Sequence, residues 1–135
     1  MELTMDEAQQ ILREIKTIAV VGLSNNPDRP SHEIASYLKE HGYRIIPVNP
    51  TIREALGEKV YASLKDIPES VDVVQIFRRP EEVLGIVEDA IAIGAKVVWM
   101  QPGAENEEAA AKAESAGLKA VVGACMRTVH RTLRH

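Results

Sequence analysis

The residues best suited to chemistry in this chain are four arginines, Arg29, Arg53, Arg78 and Arg79, each following a short apolar run. A guanidinium offers several donors in a fixed fork, a geometry matched to phosphate and carboxylate. Residues 22–31 read Gly22-Leu23-Ser24-Asn25-Asn26-Pro27-Asp28-Arg29-Pro30-Ser31. They combine one glycine for close approach, short hydroxyl and amide groups, an arginine and then a helix start. Free N–H groups and the dipole at a helix start favour an anion, and Ser24, Ser31 and Arg29 add hydrogen bonds. This loop is the expected phosphate or pyrophosphate site. Turn formation and helix capping account for the same residue types, so the loop alone leaves both readings open.

The dinucleotide fingerprint G-x-G-x-x-G is absent, and the second apolar run ends in Asn49-Pro50 rather than in an acid. Without a carboxylate for a free ribose 2′-hydroxyl, the site suits a ribose that itself carries phosphate, with Arg53 as the opposing charge. Arg53 as a solvated loop residue is the alternative. Arg78 and Arg79 end the third long run, where burying an unpaired charge is costly. They are expected to face a ligand anion, or to pair with Glu81 or Asp72. Gln101 and Pro102, with Gly103, offer backbone groups and one amide.

Groups for covalent or hydrolytic chemistry are not arranged in any recognisable pattern. There is no Ser/His/Asp spacing on strand ends, no P-loop and no pair of carboxylates at the expected crevice. The histidines are His32, His41, His130 and His135. His32 stands near the anion loop but reads as a solvent-facing first-turn residue, and His41 as a helix C-terminal charge. Cys125, the single cysteine, reads as a small packing residue. A lone cysteine forms no internal disulfide and no cysteine-pair zinc site, so no catalytic and no metal-binding residue is expected.

The elements that must position these groups follow from the pattern of apolar runs. Strands are expected at residues 17–21, 43–48, 71–77, 96–100 and 120–122, and helices at 31–41, 80–94, 107–116 and 127–133. An N-terminal helix within residues 1–16 carries the T-x-x-E capping spacing of Thr4 and Glu7. Residues 51–68 break the rhythm, holding a turn, the extended pair Val60-Tyr61 and a short helix near 64–67. Strands this apolar must be covered on both faces, as in a parallel sheet between helices. The expectation is an α/β, Rossmann-like three-layer sandwich with a mainly parallel five-stranded sheet, order 3-2-1-4-5. Ligands of such sheets bind at the carboxyl ends of the strands, which brings residues 22–31, 49–53, 77–80 and 100–103 together.

Length and charge bound the remainder. The 135 residues are 45% hydrophobic and 27% charged, with a net charge of -4 from 16 basic and 20 acidic side chains. At this size a folded surface of roughly 7,000 Å² replaces roughly 21,600 Å², enough for one domain spanning 1–135. The acidic balance disfavours nucleic acid, and no run approaches the ~20 apolar residues of a membrane span. The acidic N-terminal stretch does not resemble a secretory signal, so a cytoplasmic location is expected.

Five motifs in order then carry a resemblance. G-L-S-x-x-P-x-R-P-S, Y-x-I-x-P-V-N-P, G-x-x-V-Y-x-S-L-x-D-I-P, V-D-V-V-x-I-F-R-R-P-E and G-A-K-x-V-W-x-Q-x-G fall in order within residues 22–103, and the resemblance they carry runs from about 11 to 130. Together they resemble the small stand-alone coenzyme A-binding proteins, which are similar to the N-terminal domain of the succinyl-CoA synthetase α subunit and of NDP-forming acyl-CoA synthetases. The resemblance implies that Gly22, Leu23, Ser24, Asn25, Arg29, Pro30 and Ser31 line the CoA diphosphate and pantetheine. It implies that Asn49, Pro50 and Arg53 face the 3′-phosphorylated adenosine. It places Phe77, Arg78, Arg79 and Pro80 at the adenine side, and Met100, Gln101 and Pro102 along the pantetheine arm. The synthetases also use a phosphorylated histidine and an ATP-grasp domain that these residues do not contain. The expected role is therefore non-catalytic binding of coenzyme A or an acyl-CoA. Two alternatives stand beside it: an NAD(P)- or nucleotide-dependent enzyme, and a CoA-sensing protein partner of an acyl-CoA ligase or acetyltransferase.

Overall fold

The computed structural model describes residues 3–133; Met1, Glu2 and His135 of the expectations above lie outside them. Helix α1 (Met5–Glu14) starts at a complete capping box, Thr4 Oγ1 accepting from the Glu7 N–H while the Glu7 carboxylate accepts from the Thr4 N–H. Then follow β1 (Thr17–Val21), α2 (Pro30–Glu40) and β2 (Arg44–Val48). A two-residue pair, β3 (Glu54–Ala55) and β4 (Glu58–Lys59), precedes a single 3-10 turn at Leu64–Asp66. The alternation resumes with β5 (Val73–Ile76), α3 (Pro80–Ala92), β6 (Val97–Met100), α4 (Glu107–Ser115), β7 (Lys119–Val122) and α5 (Met126–Arg131).

The sheet is parallel throughout, in the order β2-β1-β5-β6-β7. Outside β2, Tyr61 makes one parallel bridge to Val48 and takes the place of a third edge strand. Counted from that bridge the order runs 3-2-1-4-5 and continues with β7, the Rossmann-like arrangement expected. A full crossover helix is missing between β2 and this bridge because the intervening residues form the β3–β4 hairpin instead. That hairpin turns at Leu56 and Gly57, both with positive φ.

Side chains alternate across the strands and build a core on each face. Val20, Val73, Trp99 and Val121 pack under α1, α2 and α5, while Val21, Val74, Ile76, Val98 and Met100 pack under α3 and α4. Each fully buried aliphatic side chain contributes about 1.5–3 kcal/mol, so the two faces together hold the three layers. At the amino edge of the sheet Asp72 accepts from the backbone N–H groups of Lys16 and Thr17 at 2.9 and 3.0 Å and pairs with Lys96 at 3.3 Å. No helix of the described residues is long and apolar enough to cross a membrane.

Candidate functional site

The carboxyl ends of β1, β2, β5 and β6 open into a cleft of about 780 Å³, within the range of small-molecule sites. It lies where the chain leaves β1 in one direction and β5 in the other, the switch point of the sheet. Ten of the residues expected from the sequence line it: Gly22, Ser24, Arg29, Pro30, Ser31, Asn49, Phe77, Arg78, Arg79 and Pro102. Glu82, Gly103 and Ala104 complete the wall.

Gly22 makes the close approach possible. Its φ is +90°, and a Cβ there would overlap the Phe77 carbonyl oxygen and stand 2.9 Å from Arg78 Cδ. Two backbone bonds clamp this crossing, Gly22 N–H to Val48 O and Phe77 N–H to Val21 O, both 2.9 Å. The loop beyond it is ordered by its own short side chains. Ser31 Oγ accepts from the Ser24 N–H at 3.1 Å, Ser24 Oγ from Asn26 N–H, and Asn26 Oδ1 from Asp28 N–H. Ser31 is thus a loop anchor rather than the cap of α2. That cap position falls to Arg29, whose side chain makes no capping bond, and Pro30 follows it as the first helical residue.

Helix α3 begins in the same way. Arg79 is its cap residue without a side-chain capping bond, followed by Pro80. Two helix starts, each with an arginine at the cap, therefore converge on one cleft. The expected ion partners of the arginine pair need correction: Arg78 binds neither Glu81 nor Asp72 but Glu82, Nη2 to Oε1 at 2.6 Å. Arg79 Nε lies 3.6 Å from Glu82 Oε2. Asp72 is at the opposite edge of the sheet with Lys96. The hydrogen bond from Arg78 holds the Glu82 carboxyl below its usual range, against a smaller opposing effect of burial.

The other expected residues sit beside the cleft rather than on its wall. Leu23 and Met100 are fully buried in the core, and Asn25, Pro50, Arg53 and Pro80 are exposed residues that do not line the cleft. Arg53 is thus an exposed residue of the segment after β2, not one of the cleft-lining arginines. Asn49 is a scaffold as well as a wall residue: its Nδ2 donates to Leu23 O at 3.1 Å and its Oδ1 accepts from both the N–H and hydroxyl of Thr51. Gln101 is buried beneath the cleft, where its Oε1 accepts from Gln75 Nε2 at 3.1 Å and from the Met126 N–H at 2.8 Å. Its backbone supports the loop above, accepting from the Ala104 N–H at 2.8 Å. Cys125, expected as a small buried packing residue, is partly buried at the cap of α5 and packs against the core. Burial pushes its thiol up, but hydrogen bonds from Thr128, Gln101 and Arg127 outweigh this and leave it below its ordinary value. His32 is half-buried in the first turn of α2 and is not part of the cleft wall.

Glu82 was missed in the sequence although the signal was present. It stands four residues after Arg78, the spacing at which helical side chains meet. Gly103 lies within the loop 100–103 expected at the cleft, and Ala104 follows directly on it; what brings them to the wall is the tight turn closed by Ala104 N–H on Gln101 O.

Comparison with known proteins bears on what this geometry serves. A family model described as "CoA binding domain" matches residues 16–131. The chain belongs to the CoA-binding domain family. YneT of Bacillus subtilis, described as uncharacterized, is 44% identical over 124 residues that cover 92% of both proteins. A solved structure of a hypothetical protein from Pyrococcus horikoshii superposes with a TM-score of 0.94 at 45% identity, over 97% of this chain and 92% of that one. The α subunit of the ADP-forming acetate–CoA ligase II of Pyrococcus furiosus is 43% identical over 60 residues, which are 44% of this chain and 13% of that subunit. The similarity thus extends over whole small proteins and over one part of larger ligases.

Proposed function

We propose that this protein binds coenzyme A or an acyl-CoA in the cleft at the carboxyl edge of its sheet and performs no chemistry on it. The observation that carries the reading is the meeting of Arg29, Arg78 and Arg79 with two helix starts at the switch point, in a chain of the CoA-binding domain family. Ser24 and Arg29, with the first turn of α2, would take the diphosphate. Asn49 and Phe77 would border the adenosine, and Pro102 to Ala104 the pantetheine arm. Among the described residues the cleft wall holds one carboxylate, tied to arginine, and neither histidine nor cysteine. General acid–base and thiol chemistry would therefore need groups from elsewhere.

Calorimetric titration with coenzyme A, dephospho-CoA and NAD tests the reading. Coenzyme A is expected to bind, dephospho-CoA more weakly, and NAD not at all. Binding of NAD without binding of coenzyme A would overturn it.

A further inference from the structure

The cleft wall carries a carboxylate in a place where an anion is expected to sit. Glu82, one-third exposed, engages Arg78 at 2.6 Å and reaches toward Arg79 at 3.6 Å. Arg29, across the cleft, has no carboxylate partner among the described residues. The three arginines are therefore unequal: one is open to an anion at once, and two share a resident counter-charge. We propose that Glu82 is a displaceable counter-ion, occupying Arg78 in the empty cleft and yielding it to a phosphate of the ligand. This deepens the coenzyme A reading and rests on it for the identity of the physiological ligand.

The geometry favours exchange over a permanent pair. The Arg78 stem packs across Gly22, with Cδ 2.9 Å from where a Cβ would stand, which holds the stem at the cleft floor, and the residue lines the cleft. The Arg79 side chain is 76% exposed and packs less closely. When a phosphate takes Arg78, Arg79 can close the remaining distance to Glu82, and the displaced carboxylate is not left unpaired. A carboxylate beside the incoming anion otherwise disfavours it, as like charges do at short range. Glu82 would thus weaken binding of every anion that reaches Arg78, and ligands that also engage Arg29 would overcome it best.

Binding of pyrophosphate and of coenzyme A to wild type, Glu82→Gln, Arg78→Met and the double variant tests this by calorimetry. Methionine keeps the packing over Gly22 while removing the charge, and thermal unfolding confirms that each variant folds. Glu82→Gln is expected to bind pyrophosphate about three- to fivefold more tightly, the upper range for a partly exposed ion pair. In the Arg78→Met background the same change is expected to give no gain. Equal or weaker binding by Glu82→Gln would mean that Glu82 orients Arg78 for the ligand and would overturn the proposal. A gain that persists without Arg78 would reduce Glu82 to a general field effect and also overturn it. If wild type binds pyrophosphate but not coenzyme A, the ligand assignment falls while the pyrophosphate series still decides the role of Glu82. Binding of neither overturns both.

Discussion

Replacing Gly22 with alanine tests the geometry of the cleft floor most directly. The residue has φ +90°, a conformation that costs an L-residue about 1–2 kcal/mol. The added methyl would overlap the Phe77 carbonyl oxygen and lie 2.9 Å from Arg78 Cδ and 3.1 Å from the Phe77 carbonyl carbon. Relief requires β1 and β5 to part at their carboxyl ends, against the 2.9 Å bond of Phe77 N–H to Val21 O, while the bond of Gly22 N–H to Val48 O ties the end of β1 to β2 and limits its retreat. Overpacking of this kind costs about 1–3 kcal/mol more. The total, about 2–5 kcal/mol, is a large part of the 5–15 kcal/mol typical of a domain. With a urea slope of about 1.5 kcal/mol/M, the midpoint is expected to fall by roughly 1–3 M. Gly103→Ala supplies the control. Its φ is +97°, also on the cleft wall, but a Cβ there meets nothing within 4 Å. It should lose only the conformational cost, about 1–2 kcal/mol. Urea unfolding of both variants, followed by the fluorescence of the single Trp99, separates the two effects. Equal midpoints for Gly22→Ala and Gly103→Ala would refute the close approach as the reason for glycine at position 22.

Three further outcomes follow from other parts of the molecule. Arg29→Ala is expected to weaken coenzyme A binding while shifting unfolding by no more than about 0.5 kcal/mol, because the side chain is exposed and makes no capping bond; unchanged affinity in a titration would remove Arg29 from the site. Gln101→Ala leaves Gln75 Nε2 and the Met126 N–H without their shared acceptor and should destabilise by about 2–5 kcal/mol in urea unfolding. Asp72 is partly desolvated, which by itself raises its pKa, but the N–H groups of Thr17 and Lys16 and the Lys96 ammonium hold it below the usual carboxylate value. A depressed folded pKa means stability that is full above the unfolded value near ~3.9 and lost as pH falls through the folded one; Asp72→Asn should therefore flatten the acid limb of a stability–pH curve, and an unchanged limb would contradict the tie.

The features legible in the sequence are those carried by runs of residues. β1, β5 and β6 are short β-branched stretches closed by glycine or proline signals, and burial on both faces forces such stretches into a central parallel sheet. The loops that follow them inherit their position from that topology, so ten cleft residues could be named without coordinates. What the sequence hid depends on single side chains choosing among neighbours. Arg78 had acids on either side in the chain, and only the helical spacing of Glu82 decides between them. Gln75 and Gln101 interrupt apolar runs, and nothing local reveals that they meet across β5 and β6 and hold the start of α5. Arg53 follows β2 closely, yet the β3–β4 hairpin carries it off the wall, and strands of two residues leave no periodic trace.

The two helices that open on the cleft begin with Arg-Pro, where most helices place a side chain that caps the first turn. A missing cap of this kind withholds about 1 kcal/mol from each helix. Pro30 and Pro80 have no N–H to satisfy, and the N–H groups of His32 and Glu82 turn back onto the Arg29 and Arg79 carbonyls; an anion lodged between Arg29 and Arg78 would add a partner for the first turns of both helices at once. Occupancy of the cleft and integrity of the helix starts would then be one equilibrium seen from two sides. The protein should melt higher with ligand in proportion to the logarithm of its concentration, and the first turns of α2 and α3 should be where backbone hydrogen exchange slows most.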